Sequence, residues 1–163
     1  MILMLLVRMV QAEELKTLHS FDRLQLSDQF FCEGATYLDI NRDGVMDIIS
    51  GPYWYAGPKF LERAEIYSPV AFDIANYSDN FFAFSHDVNG DDWTDVVVVG
   101  FPGKEAFWYQ NPQNRTGNWP RHLIHAEVDN ESPEFTDLTG DGRPELVFHT
   151  GGMFGLATIQ EEP

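Results

Sequence analysis

One pattern occurs three times in this 163-residue chain, and it restricts the fold more than any other feature. The stretches are DINRDGVMDIISG from Asp39, DVNGDDWTDVVVVG from Asp87 and DLTGDGRPELVFHTG from Asp137. Their starts lie 48 and 50 residues apart. Each reads D-x-[NT]-x-D-[GD]-x-x-[DE], then β-branched or apolar residues, then glycine. A fixed period in the forties marks a chain of stacked supersecondary units, because one unit cannot bury its apolar face alone.

The flanks of the three copies agree. A short segment precedes each acidic loop: EGATYL (33–38), FFAFSH (81–86) and PEFT (133–136). A strand-like run follows each: DIIS, DVVVV and ELVFH. Two copies continue into an aromatic segment, PYWYAGP (52–58) and AFWYQNP (106–112), and the second adds RHLIHAEV (121–128). Four short strands per period, punctuated by Gly, Pro and Asn, describe a propeller blade. The reading is an all-β partial propeller of two and a half to three four-stranded blades, with repeats at about 30–78, 79–128 and 129–163. FDRLQLSD (21–28) reads as a strand before the first blade, and KFLERAEI (59–66) as a turn or two of helix.

Acceptors at loop positions 1, 3 and 5, a carbonyl at 7 and a carboxylate at 9 are an oxygen-only donor set, which suits a hard divalent cation. In the first loop these are Asp39, Asn41, Asp43, the Val45 carbonyl and Asp47. In the second they are Asp87, Asn89, Asp91, the Trp93 carbonyl and Asp95. In the third they are Asp137, Thr139, Asp141, the Arg143 carbonyl and Glu145. Calcium fits better than zinc or copper, since no loop holds Cys or His. It fits better than magnesium, which keeps a stricter octahedron. Position 6 calls for a left-handed backbone, met by Gly44 and Gly142 and, less comfortably, by Asp92. The sites rank one, two, three, the third weakest because Thr139 is neutral and Pro144 stiffens its exit. The bland alternative is three solvated Asx turns. A helix-loop-helix calcium site is excluded, since position 12 is Ser50, Val98 or Phe148 and the following runs are strand-like.

These residues resemble the FG-GAP/VCBS repeat family of integrin α-chain propellers and many exported bacterial proteins. The resemblance covers roughly residues 30–160. The loops carry it, and Trp-Tyr-x-Asn-Pro at 108–112 looks like a common continuation in bacterial members. It implies a calcium-stabilised β-propeller, with each loop joining the first and second strands of a blade. The chain then reads as the opening segment of a longer propeller or as a truncated gene product, with open edges that invite pairing.

The net charge of −16 argues against nucleic acid or an anionic membrane as partner. Residues 1–14 read as a possible leader, with Val10-Gln11-Ala12 resembling a cleavage site, yet Arg8 interrupts the apolar run and no basic start precedes it. No segment is long and apolar enough to span a bilayer. Cys32 is the single cysteine, read as a buried small hydrophobe. His122 and His125, at odd spacing on a strand, fall on opposite faces, which argues against a shared metal. His86 and His149 sit at strand ends without an evident partner. The rings of Tyr53-Trp54-Tyr55 and Phe107-Trp108-Tyr109 either pack between blades or form a sugar-stacking platform.

Two functions follow as expectations. The first is a non-catalytic, calcium-binding scaffold for binding or adhesion outside the cytoplasm, completed by missing propeller blades or another protein, with carbohydrate a further partner. The second is a polysaccharide lyase or hydrolase on a calcium-bearing propeller, dependent on Tyr55 or Tyr109. A third possibility is a gene fragment without independent function.

Overall fold

The computed structural model describes residues 20–160. The expected leader over 1–14 and the tail 161–163 lie outside them. Eleven strands and no helix occur among the described residues. They form three antiparallel sheets in chain order. The first holds β1 (Ala35–Leu38), β2 (Asp47–Ser50), β3 (Tyr53–Tyr55) and β4 (Arg63–Glu65). The second holds β5 (Phe82–His86), β6 (Asp95–Val99), β7 (Lys104–Tyr109) and β8 (Arg121–Val128). The third holds β9 (Glu134–Thr136), β10 (Glu145–Thr150) and β11 (Met153–Ala157). Each strand pairs with its neighbour in sequence, so every sheet is a simple meander.

Local chemistry explains the meander. The pairing of Thr150 with Met153 leaves a two-residue turn, Gly151-Gly152, with φ of +56° and +82°. Two successive positive φ values give the turn whose twist matches a hairpin, and glycine reaches them without a Cβ clash. The sheets stack in an open row. Ile49 and Ile66 of the first sheet meet Val96, Val98 and Tyr109 of the second. On the opposite face of the second sheet, Val99 and Ala106 meet Leu146 and Phe148 of the third. Because β6 is central in its sheet and sandwiched on both sides, all five of its residues are buried. That is why DVVVV is a continuous apolar run and does not alternate.

Two sequence expectations change. Residues 21–28 form no strand. The end of that stretch and the residues after it instead strap the outer face of the first sheet, where Leu26 and Phe31 pack on Tyr53 and Tyr55. Within 59–66 the chain is strand, not helix: Arg63–Glu65 pairs with Tyr53–Tyr55, and Ala64 lies opposite Trp54. Pairing to an existing sheet edge outweighs the helical propensity of Leu, Glu, Arg and Ala. Opposite the strap, the far face of the third sheet is open, with Phe154 83% exposed.

The histidines also move from their expected places. Registers Trp108↔His122 and Ala106↔His125 show an extra residue in β8, a bulge. Residues 106 and 108 share a face, so the bulge puts both histidines on the side turned to the third sheet. His122 stacks on Trp108 at 4.4 Å, and His125 lies 4.6 Å from Phe148. They serve as packing groups there. His149 does have a partner, with Nδ1 3.7 Å from Asp129. Burial lowers the pKa of His86. Cys32 is half-buried, and its thiol donates to the Gly34 carbonyl at 3.1 Å. Burial pushes that thiol's pKa up.

Candidate metal centre

Each acidic loop joins the first strand of its sheet to the second, between Leu38 and Asp47, His86 and Asp95, and Thr136 and Glu145. The three share one backbone. Position 6 is left-handed in all, with φ of +85° at Gly44, +65° at Asp92 and +88° at Gly142. Position 4 is left-handed too, at Arg42 (+61°), Gly90 (+73°) and Gly140 (+78°), which the sequence pattern did not reveal. A non-glycine residue in this region carries strain, so Arg42 and Asp92 are held there by what surrounds them.

What surrounds them is the carboxylate at position 1. Asp87 accepts from the backbone N–H of Gly90 (2.8 Å), Asp91 (3.0 Å) and Asp92 (2.7 Å). Asp137 accepts from Gly140, Asp141 and Gly142 in the same way. Asp39 accepts from Asp43 and Gly44. Alternating right- and left-handed residues aim successive N–H groups inward, a concavity suited to an anion. Position 5 repeats the device on a smaller scale. Asp43, Asp91 and Asp141 each accept the N–H of position 7, from Val45, Trp93 and Arg143, at 2.8–2.9 Å. Asn41 and Asn89 hold positions 3 and 5 together, each accepting from the position-5 N–H and donating its amide to the position-5 carboxylate.

Position 9 behaves differently among the loops. Asp47 and Asp95 are fully buried. Asp47 takes the N–H of Ile40 at 3.0 Å and of Gly57 at 2.9 Å. Asp95 takes those of Val88 at 3.0 Å and Asn111 at 2.8 Å. Both therefore tie the loop to the end of the third strand. Burial pushes the Asp95 carboxyl up to about 7, against these two donors, and the nearby Asp91 and Asp87 add to the rise. Glu145, one methylene longer, turns back into its own loop. Its oxygens accept from the N–H of Leu138 and Thr139 and from the Thr139 hydroxyl. As a result Asp137, Asp141 and Glu145 each place an oxygen within 4.8 Å of the others, the one such group of three among the described residues. The loop ranked last for Thr139 and Pro144 is thus the one whose carboxylates converge. Three carboxylates this close repel one another, and a cation is the group that relieves them.

Side chains outside the pattern lock the first loop to the second sheet. Asn111 donates its amide to the carbonyls of Ile40 and Thr94, both at 2.9 Å. Thr94 donates to the Asp39 carbonyl at 3.2 Å, and Asn114 to the Asn41 carbonyl at 3.1 Å. Arg42 lies over the Trp93 ring at 5.4 Å. Asparagine directly before proline was the available signal for Asn111, but its partners are far away in sequence. The aromatic segments resolve in favour of packing. Tyr55 and Tyr109 are only 3% and 7% exposed, so neither offers a face to a sugar. Tyr109 stacks on Tyr67 at 4.7 Å between the first two sheets, and burial raises its hydroxyl to about 12.

A row of antiparallel sheets, each with one acidic loop of the same geometry at the same place, defines an all-β repeat protein. Residues 87–148 match the family model of the FG-GAP-like repeat. The matched span runs from the second acidic loop through the third and into β10, and the first loop repeats its geometry outside it. No curated protein and no solved structure matches the chain. No helix among the described residues is long and apolar enough to cross a membrane.

Proposed function

We propose that the chain is a non-catalytic, calcium-binding propeller module serving as a binding or adhesion scaffold outside the cytoplasm, completed by further propeller blades or another protein, with carbohydrate as a further partner. The observation that carries this reading is the third loop, where Asp137, Asp141 and Glu145 converge on a backbone that the other two loops share. The donors that would hold the ions are those of positions 1, 3, 5, 7 and 9 in each loop. The ion would supply charge neutralisation and loop order, with no chemistry on a substrate. Three ions would change the net charge from −16 to about −10. Calcium at the millimolar level outside cells suits modules of this kind, whose sites need not be tight.

Thermal melts in millimolar calcium and in chelator test the reading. A site filled at 100 times its dissociation constant adds about 2.7 kcal/mol. The melting temperature rises in calcium by several degrees, whereas equal magnesium has a smaller effect. Identical melting in calcium and chelator would end the proposal.

A further inference from the structure

The second acidic loop holds a reactive pair that the other two lack. At positions 3 and 4 the first loop has Asn41-Arg42, the second Asn89-Gly90 and the third Thr139-Gly140. Asn89 is the only asparagine of the chain that glycine follows. The amide carbon of an asparagine is open to attack by the backbone nitrogen of the next residue, which closes a cyclic imide. A side chain on that residue crowds the nitrogen, and proline has no N–H to give up. Glycine leaves the nitrogen clear. Both Asn89 and Gly90 are exposed, and a Cβ placed on Gly90 would meet nothing within 4 Å.

The folded loop restrains this chemistry without walling it off. The Gly90 N–H donates to Asp87 Oδ1 at 2.8 Å, so the proton that must leave is held against a carboxylate. Asn89 is held as well. Its Oδ1 accepts the Asp91 N–H at 3.1 Å, and its Nδ2 donates to Asp91 Oδ2 at 3.1 Å. All three bonds lie on the exposed side of the loop, where water competes for them. Exposed hydrogen bonds of this kind open locally at far less cost than global unfolding.

We propose that Asn89 is a self-modification site, converted through a cyclic imide to aspartate and isoaspartate whenever Asp87 releases the Gly90 N–H. Water or hydroxide removes the Gly90 amide proton, and the freed nitrogen attacks Asn89 Cγ. The N–Cγ bond forms, the Cγ–Nδ2 bond breaks, and Nδ2 leaves as ammonia with a proton taken from water. A water molecule then opens the imide. Attack at Cγ restores the main chain and leaves an aspartate. Attack at the main-chain carbonyl routes the chain through Cγ and leaves an isoaspartate, with an extra methylene in the backbone. Each conversion consumes one water and releases one ammonia, and nothing is oxidised or reduced. Either product loses the Nδ2 donor to Asp91 and adds a negative charge to a loop already rich in carboxylates. The second loop therefore ages, whereas Arg42 shields the first and Thr139 has no amide to lose.

The test holds the full chain in warm, mildly alkaline chelator, with and without guanidinium, and follows each asparagine by peptide mass mapping. Chelator keeps the result independent of the cation. Asn89 should convert about tenfold faster than Asn41, which bonds to Asp43 as Asn89 does to Asp91 but is followed by arginine. Guanidinium should speed Asn89 by about tenfold, the effect of abolishing a local opening step that costs about 1.4 kcal/mol. Gly90→Arg copies the pair of the first loop, where Arg42 holds a φ of +61°, and Asn89→Thr copies that of the third. Gly90→Arg should slow the conversion by about tenfold, and both variants should keep their melting temperature on storage while that of the parent drifts downward. Conversion of Asn89 no faster than that of Asn41, a comparison that needs no substitution, overturns the proposal. So does an intact Asn89 in the folded chain once the denatured chain is fully converted, an equal rate in the folded and denatured chains, or a melting drift that Asn89→Thr shares.

Discussion

Replacing Asn111 by alanine isolates the joint between the first loop and the second sheet. The side chain is 3% exposed and makes three hydrogen bonds. Its amide donates to the carbonyls of Ile40 and Thr94, both at 2.9 Å, and its oxygen accepts the N–H of Gln113 at 2.9 Å. The backbone N–H that serves Asp95 is untouched. Truncation leaves two buried carbonyls short of a donor and one half-buried N–H without its acceptor. At about 1 kcal/mol for each, the loss is roughly 3 kcal/mol, a large part of the 5–15 kcal/mol typical of a domain. Urea unfolding followed by tryptophan fluorescence measures it, with an unchanged slope showing that the two end states are conserved. Asn111→Asp should cost more than Asn111→Ala. It removes both donors and also sets a second buried carboxyl beside Asp95, facing two carbonyl oxygens. A loss under about 0.5 kcal/mol for alanine, or an aspartate variant as stable as the parent, would refute the assignment of this residue as the joint.

Two further substitutions probe other parts of the fold. Asp141→Asn keeps the oxygen that accepts the Arg143 N–H but removes one of three crowded charges; it should raise stability by several tenths of a kcal/mol in chelator and lower it in calcium, a reversal of sign read from paired melts. Gly34→Ala would place a Cβ 2.6 Å from Asn80 Oδ1 and 2.8 Å from the Ala83 backbone nitrogen, so it should cost about 1–3 kcal/mol, whereas Gly155→Ala meets open space and should be close to neutral in the same chemical denaturation.

The strands that follow the loops were readable because their apolar runs are bounded by a repeated acidic pattern on one side and glycine on the other. β8 coincides with the expected 121–128, a run bounded by Pro120 on one side and Asp129-Asn130 on the other. β4 was not readable. Three exposed residues, Arg63 to Glu65, carry no strand pattern of their own and become a strand only because β3 offers an edge. The bulge in β8 was equally silent, and it reversed the expected separation of His122 and His125. In the loops, the residue types disclosed which positions gather oxygen atoms, and the turn at position 6 was legible from Gly44 and Gly142. The different paths of Asp47 and Glu145 were not, because they depend on one methylene and on whether Gly57 or Asn111 stands at the end of the third strand. Ranking the third loop last for Thr139 and Pro144 missed this, since neither residue tells which way the position-9 carboxylate turns.

The first loop faces two ways, and this links cation binding to sheet packing. The side chains of Asp39, Asn41 and Asp43 turn toward one another. The carbonyls of Asp39, Ile40 and Asn41 turn outward, to Thr94, Asn111 and Asn114 of the second sheet's connections. An ion held by the side chains would fix the same three residues whose carbonyls form the joint. Ordering one set lowers the entropy lost in ordering the other, so the two should stabilise cooperatively. A double-mutant cycle between Asp39→Asn and Asn111→Ala measures this. In calcium the two losses should depart from additivity by about 1 kcal/mol, because either change alone loosens the residues the other relies on. In chelator the departure should shrink, since the side-chain set is then held only by its own N–H donors. Additive losses in calcium would mean that the loop's two faces act independently, and that the acidic pattern repeats for cation capture without any part in joining the sheets.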